Sequence, residues 1–397
     1  MSFGIYVHIP YCLQRCTYCD FATYERSKIM PSSDYISLVL KELDQRNGFY
    51  GRRSLDTLYF GGGTPSLLPH EEIVSLIEGL EKRGYPLQPK AEVTIEINPA
   101  TINADKLSAY LDAGINRFSV GAQTFDDRLL KMVNREHSAQ QTLETLELLS
   151  RKSLNFSFDI LFALPSQTLD GVKNDLRIAL DLGSKHISPY CLTVPTGHPL
   201  SKGRAPDEEQ VDMFELIRTS LLDRGFLPYE ISNFAQPGFE SRHNLLYWTD
   251  EEYWGLGLSA HSYRKSPDWG LRFWNKNAIG EYQNQILRGA TPPAPKSTPE
   301  LMLAEDQYET LEAHQALTDF CHTSLRLMRG LAVQNLESKF PAQYSLLAKN
   351  RLERLGSRGL LVLKNESWCL TDQGVVLSNR VFEEMTFLKD EITTSAH

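Results

Sequence analysis

Apolar runs typical of strands alternate with helical patterns through the first 230 residues of the chain. The predicted strands are Gly4–Ile9, Thr57–Phe60, Glu92–Ile97, Arg117–Val120, Phe156–Phe162 and Ile187–Val194. The predicted helices between them are Ser33–Arg46, His70–Lys82, Asn103–Ala113, Ala139–Arg151, Gly171–Leu182 and Asp207–Arg224. Strand-then-helix units in this order predict an α/β fold with a parallel sheet and right-handed crossovers. Six such units favour a partial (β/α)6 barrel.

The rest of the chain has a different pattern. Residues Tyr229–Asn277 are aromatic, rich in glycine and irregular, and the proline-dense segment Thr291–Pro299 predicts an extended linker. The tail predicts helices and one short hairpin, which resembles a winged-helix module. Its elements are Tyr308–Leu317, Leu331–Lys339 and Ser345–Leu355, the hairpin Gly359–Lys364 with Ser367–Leu370, and the helix Asp372–Met385. We therefore expect a barrel domain at 1–230, an extension packed on it at 231–290, and a C-terminal helical domain at 300–397.

Composition and charge exclude several classes of protein. The chain has 397 residues, 41% of them hydrophobic, so it is not mainly disordered. Its formal charge of −9 gives no global reason to bind nucleic acid, and the tail is not strongly basic. We therefore interpret the tail as a structural or partner module. No apolar run reaches the roughly 18–20 residues of a membrane span, and Met1–Pro10 lacks the features of a signal peptide, so we expect a cytoplasmic protein with reduced thiols.

Three cysteines form the strongest chemical signal. Cys12, Cys16 and Cys19 make a CxxxCxxC motif just after the first strand, at the end where barrel active sites lie. Three thiolates this close can hold three irons of a 4Fe–4S cluster and leave the fourth iron open. The alternative is a zinc knuckle with His8 as the fourth ligand, but the chain has no second CxxC pair. The scattered cysteines are interpreted as core residues: Cys191, Cys321 and Cys369.

Polar and glycine residues follow the other predicted strands. Gly61–Pro65 reads Gly-Gly-Gly-Thr-Pro, where glycines let the backbone approach a ligand closely or simply form a tight turn. Asp159 lies within an apolar run, and a buried carboxylate is costly unless it is paired, which suggests a polar barrel lumen. Each polar residue could instead be a cap or part of a buried salt bridge. These residues are Glu96, Gln123, Arg135 and Asp159.

At these motifs the sequence resembles the radical S-adenosylmethionine enzymes, and over nearly its whole length the coproporphyrinogen dehydrogenase-like branch of them. The resemblance implies that Cys12, Cys16 and Cys19 hold the cluster, that its open iron chelates S-adenosylmethionine, and that an electron donor reduces it. In that branch, one or two S-adenosylmethionine molecules contact the positions that match Tyr6, Tyr18, Gly62, Gly63, Thr64, Glu96, Gln123, Arg135 and Asp159.

Two groups within the branch differ at identifiable positions. Oxygen-independent coproporphyrinogen oxidases carry a fourth cysteine where this chain has Phe21, and an extension before the cluster strand. The HemW-like heme chaperones carry phenylalanine there and an HNxxYW motif, which matches His243–Trp248. The resemblance therefore implies a protein that binds heme and passes it to an unknown acceptor. The alternatives are radical decarboxylation of coproporphyrinogen III and an iron–sulfur structural protein that does neither.

The motif is chemically compatible with heme. Imidazole is a common axial ligand of heme iron, so His243 is the first candidate. Tyr247 and Trp248 offer flat faces to a porphyrin, and Arg242 could meet a propionate. The alternative is that His243 is a satisfied polar residue packed under two core aromatic residues. Further candidate ligands are His261 and His186.

Overall fold

The computed structural model describes residues 2–266, 268–288 and 305–394. The predicted linker Thr291–Pro299 lies outside the described residues. The strands are β1 Phe3–Ile9, β2 Tyr11–Cys12, β3 Tyr24–Glu25, β4 Leu55–Gly62, β5 Leu87–Ile97, β6 Arg117–Gln123, β7 Asn155–Phe162, β8 His186–Cys191, β9 Leu227–Glu230, β10 Asn233–Ala235, β11 Glu252–Leu256, β12 His261–Arg264, β13 Leu271–Trp274, β14 Tyr308–Thr310, β15 Leu331–Ala332, β16 Leu361–Lys364 and β17 Ser367–Leu370. The helices are α1 Ser32–Arg46, α2 His70–Lys82, α3 Ala104–Asp112, α4 Asp127–Met132, α5 Ala139–Arg151, α6 Leu169–Asp181, α7 Asp207–Asp223, α8 Arg242–Trp248, α9 Ile279–Arg288, α10 Ala313–Arg326, α11 Val333–Lys339, α12 Ala342–Ser357, α13 Asp372–Val376, α14 Ser378–Glu384 and α15 Lys389–Thr394.

The main sheet has twelve strands in the order β14-β13-β12-β11-β1-β4-β5-β6-β7-β8-β10-β9. Its centre, from β11 to β8, is parallel throughout, which confirms the predicted α/β partial barrel. Antiparallel strands extend both edges. Most of these flanking strands come from the segment interpreted as irregular, because each is only three or four residues long, too short for a clear alternating pattern.

The two faces of the barrel sheet differ in polarity. In β1, Phe3, Ile5, Val7 and Ile9 are fully buried against the surrounding helices. The intervening side chains point to the other face, as the two-residue period of a strand requires. There the strands carry mostly polar residues, and one row in register reads Tyr6, Tyr59, Thr94, Arg117. The lumen of the barrel is therefore polar, as the position of Asp159 suggested.

The C-terminal module has its own hydrophobic core, built from residues between Leu311 and Ile392. It combines helices with a three-stranded sheet in the order β15-β17-β16. The predicted helix Tyr308–Leu317 is wrong in its first half. Residues Tyr308–Thr310 form strand β14 on the main sheet, and α10 begins only after Glu312, which caps it in a capping box with Gln315. The predicted helix Asp372–Met385 is two helices, α13 and α14.

The module is fastened to the barrel near the end of α8. The guanidinium of Arg326 lies 4.5 Å from the centre of the Trp248 ring and forms a 2.7 Å ion pair with Glu230, whose side chain is fully buried. Leu327 forms an isolated backbone bridge with Glu230. Within the described ranges, no helix has the length and apolar character to cross a membrane.

Candidate functional site

The three clustered cysteines lie on one loop at the carboxyl end of β1. All three thiols are free and partly exposed. The guanidinium of Arg135 donates to the Cys16 Sγ at 3.5 Å, and the Thr64 hydroxyl is 4.0 Å from the Cys12 Sγ. Burial raises the pKa of the Cys12 thiol to about 11, so a bound cation is needed to hold it as a thiolate. The loop therefore presents sulfur ligands beside a cation and a hydroxyl.

Contacts from two other parts of the barrel fix the shape of this loop. The Thr17 backbone N–H donates to the Val133 carbonyl, and the Thr17 carbonyl contacts Nε2 of His198 at 3.0 Å. Asn134 donates its side-chain amide to the Arg15 carbonyl at 2.7 Å. The loop is thus held by the segments that follow α4 and β8, neither of which the cysteine motif itself reveals.

The same geometry argues against a zinc knuckle. Nε2 of His8 contacts the Ala22 carbonyl at 2.9 Å, and its Nδ1 lies 3.1 Å from the Tyr6 hydroxyl. Both ring nitrogens are therefore used, and His8 offers no lone pair for a metal. Among the described residues, no three metal-ligating side chains converge on a point that could hold one metal ion. A cubane does not need such convergence, because each cysteine binds a different iron.

The Gly-Gly-Gly-Thr-Pro run closes the site beside the cysteines. Gly62 has a φ of 109°, and a Cβ there would lie 2.4 Å from the His8 ring. A Cβ on Gly63 would lie 2.7 Å from the Tyr11 carbonyl oxygen. Both positions therefore require glycine, and the backbone lies directly against β1 and the cysteine loop. This is more than a permissive turn, because neither position has room for a side chain.

A cavity of about 480 Å³ opens beneath the cysteine loop. All the residues predicted for the cluster and S-adenosylmethionine except Tyr6 line it, namely Cys12, Cys16, Tyr18, Cys19, Gly62, Gly63, Thr64, Glu96, Gln123, Arg135 and Asp159, whereas the heme-ligand candidates His243, His261 and His186 do not. The sequence did not single out Ser119, Tyr190 and Cys191, which also line it. Cys191, interpreted as a core residue, is exposed on the rim at the end of β8, whereas Cys321 and Cys369 are buried.

Two half-buried carboxyl groups dominate the electrostatics of the cavity. Burial raises the pKa of Glu96 to about 7, against the opposing effect of the Tyr59 hydroxyl that donates to it at 2.9 Å. Burial likewise raises the pKa of Asp159 to about 6, and Ser188 opposes that shift. Each carboxyl group would gain from a cation in the cavity, because the charged form is then stabilised.

The remaining candidates take part in the cavity wall or lie below it. Arg135 bridges the Cys16 thiol and the Gly121 carbonyl, so it joins the cysteine loop to β6. Gln123 ends β6 in the left-handed region, with a φ of 70°. Tyr6 lies deeper in the lumen, where its hydroxyl contacts His8 and its ring centre lies 6.0 Å from that of Tyr59. Tyr6 is therefore one layer removed from the cavity.

His243 lies in the core of the protein. Its side chain is 1% exposed, Nδ1 is 2.7 Å from the Thr57 hydroxyl oxygen, and Nε2 is 2.9 Å from that of Tyr247. Its ring stacks on Tyr59 at 5.1 Å between centres. Burial, with a smaller contribution from the charge of Arg117, lowers the pKa of His243 to about 3. In this conformation both ring nitrogens are occupied by partners within the protein.

The other residues of the His243–Trp248 string are also used internally. The Tyr247 ring packs edge-on against Tyr253 at 4.6 Å, and Trp248 stacks under Arg326 of the C-terminal module. The guanidinium of Arg242 donates to the Lys90 carbonyl at 2.5 Å.

His261 contrasts with these residues. It lies at the start of β12, its side chain is exposed, and its ring stacks on that of Trp274 at 5.7 Å between centres. No hydrogen bond or ion pair occupies its ring nitrogens within the part of the chain that the structure describes. His186, the third candidate, is 1% exposed, with its Nε2 2.8 Å from the Tyr229 hydroxyl.

Known families match both parts of the chain. Residues 6–179 match the model of the Radical SAM superfamily, and residues 311–377 match the HemN C-terminal domain. Among solved structures, the chain is similar to coproporphyrinogen III oxidase (HemN) from Escherichia coli, described as a radical SAM enzyme. The TM-score is 0.81 and the identity 20%, over 97% of this chain and 90% of that chain. This likeness concerns the fold.

Curated relatives are similar over the full length. The heme chaperone HemW of Lactococcus lactis is 32% identical over 98% of this chain and 97% of its own. The heme chaperone HemW of Bacillus subtilis is 32% identical over 95% of this chain and 97% of its own. The heme chaperone HemW of Escherichia coli is 32% identical over 96% of this chain and 97% of its own. One similarity thus spans the barrel, the extension and the C-terminal module.

Proposed function

Because this chain belongs to the HemW heme chaperone family of the radical SAM superfamily, we propose that it binds heme and transfers it to an acceptor protein. The observation that carries the proposal is the similarity to heme chaperones along 97% of the Lactococcus relative's own length. Phe21 supports it, because a 65% exposed aromatic side chain stands at the rim where the oxidases carry a further cysteine.

The cofactors of this family are a 4Fe–4S cluster and S-adenosylmethionine. When bound, a reduced cluster supplies the electron that cleaves the sulfonium of S-adenosylmethionine. We propose that Cys12, Cys16 and Cys19 hold three irons. Their sulfurs are partly exposed on one loop, so each can bind one iron at a corner of the cubane. The guanidinium of Arg135 offsets the negative charge of the thiolates.

We propose that S-adenosylmethionine lies in the cavity beneath the loop. Its sulfonium group is cationic, and the half-buried carboxyl groups of Glu96 and Asp159 supply the opposite charge. Gly62 and Gly63 let the backbone approach the ligand. The other residues proposed for this site are Tyr18, Thr64, Gln123 and Arg135, with Tyr6 supporting them from below.

For the heme iron, the geometry favours His261 over His243. His243 would have to leave Thr57 and Tyr247 and reach solvent before it could bind a metal. His261 is exposed, its ring nitrogens have no hydrogen-bond partner among the described residues, and the Trp274 indole on which its ring stacks adds aromatic surface for a porphyrin. We therefore propose His261 as the axial ligand.

Heme titration of the cluster-reconstituted protein tests this function. The wild type should give a saturable Soret band near one heme per chain, and His261→Ala should lose or shift that band while its iron–sulfur content stays intact. His70→Ala is the matched control, because His70 is also a solvent-facing histidine. If the wild type does not bind heme, the function fails. If it does but His261→Ala has an unchanged spectrum, only the ligand assignment fails.

The rival activity is tested with the same preparation. Incubation with coproporphyrinogen III, S-adenosylmethionine and a low-potential reductant should give no protoporphyrinogen IX, whereas robust decarboxylation would establish the oxidase. The proposal further includes an electron donor to the cluster, an acceptor protein for heme, and a cytoplasmic location. The six free cysteines suit such a reducing compartment.

A further inference from the structure

The guanidinium of Arg117, in the barrel lumen, has no hydrogen-bond or ion-pair partner among the described residues. Arg117 begins β6, and its side chain is 2% exposed. Its Nε–H has no hydrogen-bond acceptor, and no carboxylate within the described ranges forms an ion pair with its guanidinium. A buried charge without a partner is strongly unfavourable, so a group of opposite charge or ordered water must complete the site.

Arg117 points into the lumen. It stands in the row of side chains in register with Tyr6, Tyr59 and Thr94, which face the inside of the barrel. Its charge acts on ionisable side chains from five other elements around the lumen: Tyr59, Asp159, His186, Tyr229 and His243. Ser119, the next lumen-facing residue of β6, lines the cavity above. The guanidinium therefore lies just below the floor of that cavity.

The nearby carboxylates are committed elsewhere. Glu92 accepts two backbone N–H groups at the start of α8, at 2.9 and 3.0 Å. Glu96 accepts the Tyr59 hydroxyl and a backbone N–H, and no ion pair joins Asp159 to Arg117 within the described ranges. Glu92 and Glu96 thus accept from neutral donors, and no carboxylate of the described residues forms an ion pair with the Arg117 guanidinium.

Two further donors near Arg117 are also unused. The Thr94 hydroxyl is fully buried, and neither it nor Nδ1 of His186 has a hydrogen-bond partner in the part of the chain that the structure describes. When the Tyr229 hydroxyl, 2.8 Å from Nε2 of His186, donates to that nitrogen, Nε2 is the acceptor of the ring. Nδ1 of that histidine then carries the proton and is a donor. A guanidinium, a hydroxyl and an imidazole N–H together match the acceptor atoms of a carboxylate.

We propose that Arg117, with Thr94 and His186, binds a carboxylate anion in the barrel lumen beneath the cavity. The carboxylate enters through the cavity and is either a small free anion or the acid group of a larger ligand held above. This site does not depend on the proposed heme function, because the anion is recognised by lumen residues and not by His261.

Thermal unfolding of the full chain in sodium formate, against sodium chloride at equal ionic strength, tests the site. Formate is the smallest carboxylate and reaches a narrow lumen. We expect a saturable rise of the wild-type Tm in formate, because a ligand that binds only the folded state stabilises it. Arg117→Met should lose this rise, and its Tm without formate should equal or exceed that of the wild type, since a buried unpaired charge is removed.

Controls keep the result interpretable. Arg128→Met is the matched control, because Arg128 is a solvent-exposed arginine, and it should respond to formate like the wild type. Thr94→Val keeps the shape of the side chain and should weaken the apparent formate affinity about threefold to tenfold, so the site stays testable if Arg117→Met does not fold. A further titration shows which molecule supplies the carboxylate group. Wild type and Arg117→Met are each titrated with S-adenosylmethionine and with heme. An affinity loss of tenfold or more for one of them assigns the carboxylate to that ligand, whereas unchanged affinities assign a free anion.

Two outcomes would overturn the proposal. The first is a wild type whose Tm does not respond to formate beyond the chloride effect. Water bridging Arg117 to the unpartnered Oδ1 of Asn155 would then be the better account of the lumen. The second is an equal formate response in Arg117→Met, which would locate the anion elsewhere.

Discussion

Replacing His243 by alanine should destabilise the protein and leave its heme spectrum unchanged. The imidazole is 1% exposed, is hydrogen-bonded through both nitrogens, and is stacked on Tyr59. Its removal would leave the Thr57 and Tyr247 hydroxyls without partners in a space that water does not readily reach. A ligand histidine would behave in the opposite way, because an exposed imidazole contributes little to folding.

The size of the effect follows from these contacts. Each buried hydroxyl left without a partner costs about 1–3 kcal/mol, so the two together cost about 2–6 kcal/mol before the lost ring packing is included. Domains are stable by about 5–15 kcal/mol, so the loss is a large part of the total. His261→Ala removes only an exposed ring and should change the free energy of unfolding by less than about 0.5 kcal/mol.

Urea unfolding followed by tryptophan fluorescence measures the free energy, and heme titration of the same samples measures the Soret band. We expect His243→Ala to shift the urea midpoint down and keep the band, and His261→Ala to keep the midpoint and change the band. The reasoning would be refuted if His243→Ala unfolds like the wild type but loses its heme band. His243 would then reach the iron through a conformation other than the one described.

The other predictions concern the cluster and S-adenosylmethionine. Anaerobically reconstituted wild type should hold about four irons per chain, whereas Cys12→Ala, Cys16→Ala or Cys19→Ala should each abolish iron binding and Cys321→Ala should not. Iron and zinc analysis measures this, and stoichiometric zinc without iron in the wild type would contradict it. Affinity for S-adenosylmethionine should rise about fivefold to tenfold from pH 6 to pH 8, because Glu96, with a pKa raised to about 7, then loses its proton and attracts the cationic ligand. Equilibrium dialysis measures it, and Glu96→Gln should flatten the profile; an equally steep profile in that variant would assign the pH dependence to another group.

Much of the barrel could be predicted because its signals are local. The strand β1 reads as an alternating apolar run, and the CxxxCxxC motif follows it immediately, so the strand and the ligands are found together. The glycine turn and Glu96 also end predicted strands. Parallel strands bring their carboxyl ends to one edge, so these residues converge without any knowledge of side-chain contacts.

The features that could not be predicted depend on partners far away in the sequence. Strand β14 is only three residues long and is held by its pairing with β13, so local propensity favoured a helix there. The loop after β8 supports the cysteine loop through a contact between His198 and Thr17, 181 residues apart. The absence of an ion-pair partner for Arg117 among the described residues depends on how Glu92 and Glu96 find other donors, which no sequence pattern encodes.

The string His243–Trp248 is both a local sequence signal and a set of contacts with distant residues. Mutations in it must therefore be interpreted with both roles in mind. As a sequence it identifies the family, but in the fold it joins three parts of the molecule. His243 contacts Thr57 in β4, the start of α8 donates to Glu92 in β5, and Trp248 lies under Arg326 of the C-terminal module. A substitution in the string therefore weakens these contacts between parts of the protein, whether or not heme is bound there. Reduced heme binding by such a variant cannot identify the ligand, and only spectra compared at equal folded fraction can do so.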